Sequence, residues 1–379
     1  MRGTVLLKIA FAIIAINDAL GFKPSSPLQR TGVWNVRGVT SHASALRLSA
    51  AASDIGRKRE RASVPFPLTL WRFTRPHTLI GSAIAIPALH AQAAPTLTAI
   101  FRNANLVSTV YAAIPALLMN LYITGLNQIT DVEIDKVNKP NLPIPAGELS
   151  EGTAVGVVLV ALLLSLWLGV AHPVLGTQGL NVALWGSCIL GTLYSLPPFR
   201  LKRFPALAAF CIVAVRGTII NAGFFAHAQS AAFGVPVISV LHTLLTERTC
   251  MLTNLFFGVF GVVIALMKDV PDVEGDEIAR VRTFSVRLGQ KSVFRAMRQL
   301  LTSLFFVFGA GFIRGAFNTP QTARRLCRAT LGLSAVVAGL FVNKAASTVD
   351  PYKSDEVYGY YMKLWKLFYL SYLALPFAR

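Results

Sequence analysis

Apolar windows of about 17–22 residues recur along the chain after residue 76, each long enough to cross a hydrocarbon layer of about 30 Å. They fall at roughly 79–97, 105–126, 153–171, 180–197, 205–227, 250–267, 295–313, 327–345 and 360–377. The stretch 233–245, broken by Pro236 and His242, is too short to span. This pattern predicts an all-α integral membrane protein with about nine transmembrane helices. Trp365, Phe368, Tyr369 and Tyr372 lie in the last window and read as an interfacial aromatic belt in preference to a substrate wall.

Composition agrees. The chain of 379 residues is 54% hydrophobic and only 14% charged, with a mean hydropathy of +0.56, against about 25% charged residues in soluble domains. Cys188, Cys211, Cys250 and Cys327 lie in or beside apolar windows with no paired framework, so they read as small core residues, neither disulfides nor metal ligands. His90, His172 and His227 show no ligand spacing.

The first 63 residues differ from the rest. Residues 1–22 have a basic start at Arg2 and Lys8, an apolar run from Ile9 to Ile16 and small residues at 19–21, a signal-like segment. Residues 23–63 are rich in Ser, Ala and Arg, with Asp54 and Glu60 as their only acids, a transit-like basic segment. A signal followed by a transit sequence matches two-part targeting to a secondary plastid; a basic tail on a mitochondrial or secretory protein is the alternative. The mature membrane domain is then 64–379. The first 63 residues hold ten Lys or Arg against three acids, so they supply +7 of the formal net charge of +19. The basic balance therefore says little about nucleic acid, for which the chain carries no recognition motif.

Two acidic clusters stand at the ends of apolar windows. The first runs from Asn127 through Asp131 to Asp135; the second runs from Lys268 and Asp269 through Asp272 to Asp276. Residues four apart on a helix drift by about 40°, so Asn127, Asp131 and Asp135 share a face, and Asp272 and Asp276 have the same spacing. Carboxylates at membrane depth are costly without cations or water. Paired Asp oxygens are hard ligands suited to Mg²⁺, which commonly keeps substrate phosphates in its shell. Both clusters follow even-numbered spans and so emerge on one side. The same side receives the loop from Tyr194 to Arg203 and the cations Arg72, Arg75, Lys136, Lys139, Arg280, Arg282, Arg287 and Lys291. Arg324, Arg325 and Arg328 are the main exception to that bias, which turns the motif face toward the compartment of insertion. A transporter would favour carboxylates near mid-membrane, whereas these gather at one face.

From Trp71 to Arg379 the chain resembles the membrane-bound aromatic prenyltransferases of the UbiA superfamily. The segments carrying the resemblance are Gly125–Pro143 (GLNQITDVEIDKVNKPNLP), Tyr194–Phe204 (YSLPPFRLKRF), Val215–Asn221 (VRGTIIN) and Lys268–Asp276 (KDVPDVEGD), which look like the homogentisate prenyltransferase branch. Ser285–Val293 (SVRLGQKSV), Trp365–Tyr369 (WKLFY) and the Leu375–Phe377 ending look closest to the homogentisate phytyltransferases of tocopherol synthesis. Asn141–Pro145 (NLPIP) departs from the aromatic often found after the Lys-Pro pair. The resemblance implies a UbiA-type bundle around a central cavity, with prenyl diphosphate and homogentisate as substrates. It implies one Mg²⁺ on Asp131 and Asp135 and another on Asp272 and Asp276, with Asn127 orienting the first site. Lys202, Arg203 and Lys268 would contact phosphate, and Arg216 or Arg75 the homogentisate carboxylate. A lipid bilayer is required, and no obligate protein partner is implied. Solanesyl or geranylgeranyl transfer is the nearest alternative; chlorophyll synthases typically have Arg where this chain has Gln128.

Overall fold

A computed structural model describes residues 64–278 and 281–378. The signal-like and transit-like segments, Arg280 and Arg379 lie outside the described residues. Within them every regular element is helical. In chain order these are α1 (Phe66–Phe73), α2 (Pro76–Ala93), α3 (Asn103–Thr130), α4 (Val132–Asn138), α5 (Glu151–Ala171) and α6 (Gln178–Ser195). A long helix α7 (Pro205–Ala232) follows, then α8 (Val240–Thr246), α9 (Arg248–Lys268), α10 (Val273–Ile278) and α11 (Phe284–Leu288). The chain closes with α12 (Gln290–Phe317), α13 (Thr322–Ser347) and α14 (Ser354–Ala374).

Six of these, α3, α5, α7, α9, α12 and α13, are long and apolar enough to cross a membrane. The other three expected spans fold as the helices α2, α6 and α14 but fall below that measure. Their reduced hydropathy has a structural reason: α2 and α14 carry polar groups that are buried inside the bundle and do not face lipid, as at Ser82, His90, Gln92, Tyr360 and Trp365. Outward faces are apolar instead, with Leu163, Trp167, Leu333 and Val337 all more than 60% exposed on α5 and α13. Residues 233–245 form no span; α8 there has 7 residues.

Local signals set the boundaries. Pro67, Pro76 and Pro205 occupy first-turn positions, where a missing N–H costs nothing, and Ser150 and Thr177 cap α5 and α6 through their hydroxyls. Pro115 lies inside α3, and Ser165 of α5 donates to its carbonyl at 2.7 Å, tying the two helices. Two π-helical stretches, Ala214–Ile219 and Ala228–Ala232, interrupt α7; the first carries Arg216.

The C-terminal aromatics are not a belt. Trp365, Phe368, Tyr369 and Tyr372 are each 1–2% exposed and build the centre of the bundle. Tyr372 stacks on Phe257 with ring centroids 3.8 Å apart and donates to Asn221 Oδ1 at 2.7 Å, while Tyr369 donates to the His77 carbonyl at 2.7 Å. A phenol pointing inward finds a fixed acceptor there, which lipid could not supply. All four cysteines are free, with Cys211 and Cys250 buried.

Candidate active site

The short α4, the Tyr194–Arg203 loop and the short α10 converge at one end of the bundle. Asp131, at the junction of α3 and α4, receives Asn127 Nδ2 at 3.0 Å, Lys202 Nζ at 2.6 Å and Arg200 Nη2 at 3.0 Å. Burial works against its charge, but Lys202 and Arg200 outweigh it and hold the carboxyl below its usual range. Burial pulls Lys202 down to about 8 even though Asp131 opposes the shift. One turn on, Asp135 is 4% exposed, with Arg75 Nη2 3.8 Å from Oδ2, and burial raises its pKa.

The second cluster faces the first. Lys139, just past α4, forms an ion pair with Asp272, and Asn138 Oδ1 accepts the Gly275 N–H at 2.9 Å. Lys268 donates to Tyr194 Oη at 3.1 Å and lies 3.3 Å from Asp269. Asp276 is pushed up to about 7 by burial and by the neighbouring Asp269 and Asp272. Asp135 feels the charges of both Asp131 and Asp272, so the two clusters and their attendant cations form one electrostatic unit.

Below this unit opens a cavity of about 1110 Å³. Asn127, Asp272, Lys268, Arg75 and Arg216 line it directly. Arg216 lies 5.1 Å from the Trp365 ring centroid, and among the described residues no carboxylate pairs with it. His77, with its ring 5.2 Å from that of Trp365, continues this wall.

Arg203 stands apart: it is exposed and does not line the cavity. Its neighbour Arg200, with a left-handed backbone at φ of 39°, does not line the cavity either but reaches Asp131. Arg75, with φ of 51°, is the other non-glycine residue in that region among the described residues, so both strained positions serve this site. Arg200, Lys139, Asn138 and Trp365 are site residues that sequence reading did not assign. Lys139 and Asn138 lie within the first motif, four and three residues past Asp135, and that spacing was the available signal.

The donor set suits a hard divalent cation. Asp135 Oδ2 is buried with no hydrogen-bond partner among the described residues, its ion-pair partner Arg75 standing 3.8 Å away, and Asp276 sits beside two further carboxylates. Among those residues no three His, Cys, Asp or Glu side chains converge to hold an ion by themselves. A cation bound here would draw further ligands from phosphate oxygens and water.

Residues 78–367 match the UbiA prenyltransferase family. The chain belongs to that family. Homogentisate phytyltransferase 1, chloroplastic, of Arabidopsis thaliana is 39% identical over 311 residues, covering 82% of this chain and 75% of that protein. Homogentisate phytyltransferase of Synechocystis sp. is 37% identical over 323 residues, covering 81% and 94%. Homogentisate solanesyltransferase, chloroplastic, of Arabidopsis thaliana is 35% identical over 321 residues, covering 82% and 77%. A UbiA homologue from Archaeoglobus fulgidus bound to GPP and Mg²⁺ superposes with a TM-score of 0.54 at 16% identity, covering 81% of this prenyltransferase and 99% of that chain. At that identity the likeness concerns the fold alone.

Proposed function

We propose that this UbiA-family prenyltransferase moves a prenyl group, phytyl by preference, from its diphosphate to homogentisate with loss of carbon dioxide, in a plastid membrane. The relatives named above support the acceptor and the compartment. The observation that carries the reading is the joining of two aspartate clusters over the mouth of an apolar cavity that also holds an unpaired arginine.

Asp131 and Asp135 would hold one Mg²⁺, and Asp272 and Asp276 the other. When bound, the metal neutralises the diphosphate and the pyrophosphate that leaves. Lys202, Lys268, Lys139 and Arg200 supply charged donors to the same oxygens, with Asp131 and Asp272 keeping Lys202 and Lys139 in place. The allylic C–O bond breaks with its electron pair going to pyrophosphate. The apolar walls exclude water that would otherwise trap the cation. A ring carbon of homogentisate forms the new C–C bond and loses its proton. The carboxylate leaves as carbon dioxide, its electron pair remains on the methylene carbon, and a proton completes the methyl group. Arg216, stacked on Trp365 inside the cavity, provides the counter-charge for the acceptor carboxylate before that loss.

The test is direct. Full-length protein in lipid nanodiscs, given homogentisate, Mg²⁺ and phytyl diphosphate, should release carbon dioxide and methylphytylbenzoquinol in equal amounts, and excess EDTA should stop both. Turnover unaffected by EDTA, or the absence of any prenylated product, rejects the reading.

A further inference from the structure

We infer that the depth of the cavity selects the length of the prenyl donor, and that Ile86, Leu184 and Phe224 form the floor that does so. This rests on the proposed transfer to homogentisate and adds to it the residues that read the tail.

The cavity is lined on α3 from Asn127 down to Ala116, and on α6 from Tyr194 down to Ala183. Eleven residues of helix cover about 16 Å. Ile86 on α2, Leu184 beside Ala183 on α6 and Phe224 on α7 are the lining residues furthest along those helices from the mouth, each no more than 2% exposed. Beneath that floor lies a closed polar layer. Ser108 Oγ is 3.0 Å from His227 Nε2 and 3.3 Å from His90 Nε2, and His227 Nδ1 is 2.7 Å from Thr177 Oγ1. His90 Nδ1 lies 2.9 Å from the Ile86 carbonyl, so the layer is bonded to the floor itself. His90, Ser108 and His227 have no solvent exposure. Pushing a tail through this layer would break hydrogen bonds that nothing apolar can replace. The helices on either side cannot part cheaply. Gly179 of α6 lies against the α7 backbone so closely that a Cβ there would stand 2.5 Å from the Gly223 carbonyl oxygen.

Chain lengths then separate. With bonds of about 1.5 Å at tetrahedral angles, a sixteen-carbon main chain, as in a phytyl or geranylgeranyl group, extends about 19 Å. That is close to the depth available, given slight bending. The thirty-six-carbon main chain of a solanesyl group extends about 44 Å. The cavity holds about 1110 Å³, and a forty-five-carbon donor would bring twenty-five further carbons into it.

The experiment compares wild type, Phe224→Ala and Ala116→Leu, full-length in nanodiscs, across ten-, fifteen-, twenty-, twenty-five- and forty-five-carbon prenyl diphosphates. Binding of unreactive thiodiphosphate analogues, read by tryptophan fluorescence, accompanies kcat/KM. Wild type should prefer twenty carbons to forty-five by more than 100-fold. Ala116→Leu, which fills the floor, should lower the twenty- to ten-carbon ratio at least 10-fold in both readouts. Phe224→Ala should raise the twenty-five- to twenty-carbon ratio by a similar factor. Equal use of forty-five and twenty carbons by wild type, or variants that depress every donor alike, overturns the inference while leaving homogentisate transfer intact. No product from any donor in wild type rejects the transfer reading itself.

Discussion

Asn138 and Gly275, 137 residues apart in sequence, are joined by a 2.9 Å hydrogen bond from the Gly275 N–H to the Asn138 side-chain oxygen. Asn138 ends the helix that carries Asp135, and Gly275 lies between Asp272 and Asp276. The bond therefore sets the distance between the two aspartate clusters. A Cβ at Gly275 would come 2.3 Å from Asn138 Oδ1, so Gly275→Ala must displace the Asn138 side chain, breaking this bond, or move the two clusters apart. Misplacing a catalytic group by about 1 Å can cost roughly 100-fold. Gly275→Ala should lower kcat by about that factor while the protein remains inserted and elutes normally in detergent. Unchanged kcat would show that the spacing is not set here.

The two aspartates that hold cations should matter most. Asp131→Asn leaves Lys202 and Arg200 without their shared anion, and Asp272→Asn does the same to Lys139. Each should reduce prenyl transfer more than 100-fold and weaken Mg²⁺ activation. Excess Mg²⁺ should not restore the rate, because a neutral amide is a poorer hard ligand than a carboxylate. Near-normal turnover in either variant rejects the two-cluster site.

Arg200 and Arg203 give a sharper comparison, being three residues apart in one basic loop. Arg200 bonds to Asp131 and to the Thr130 carbonyl, whereas Arg203 is exposed. Arg200→Ala should lower kcat/KM for the diphosphate more than 10-fold, and Arg203→Ala should change it less than twofold. The reverse order would mean that the loop rearranges when substrate binds.

Arg216 should separate the two substrates. Arg216→Met keeps an apolar stem over Trp365 but removes the charge, so KM for homogentisate should rise more than 10-fold with KM for the prenyl diphosphate nearly unchanged. Arg216→Lys should recover only part of the loss, because a single ammonium lacks the planar fork of guanidinium. A rise confined to the diphosphate KM would place Arg216 on the donor side.

Sidedness can be checked by labelling. In a background lacking the four native cysteines, single cysteines at the exposed positions Glu133, Arg203 and Glu274 should all react with an impermeant maleimide from one face. A cysteine at Gln321, beyond the far end of α12, should react only from the other. Opposite labelling of Glu133 and Glu274 would separate the clusters and remove the shared site.

By itself the sequence determined the helical class, the membrane setting and the two aspartate clusters. Each of these depends on spacing along one helix or on the length of one apolar run, and both are local properties. The four-residue spacing of Asn127, Asp131 and Asp135 is legible in the sequence, whereas the break at Asp131 between α3 and α4 is not. Tertiary structure decided what lies across from what. Only the packed bundle brings Lys139 to Asp272, Lys202 and Arg200 to Asp131, and Asn138 to Gly275. It alone turns Arg203 outward and Arg200 toward Asp131, because the left-handed backbone at Arg200 is invisible in a run of basic residues. The C-terminal aromatics show the same limit. An aromatic at the end of an apolar window can face lipid or the bundle with equal hydropathy. Trp365 and Tyr372 face the bundle because Arg216 and Asn221, on a different helix, meet them there.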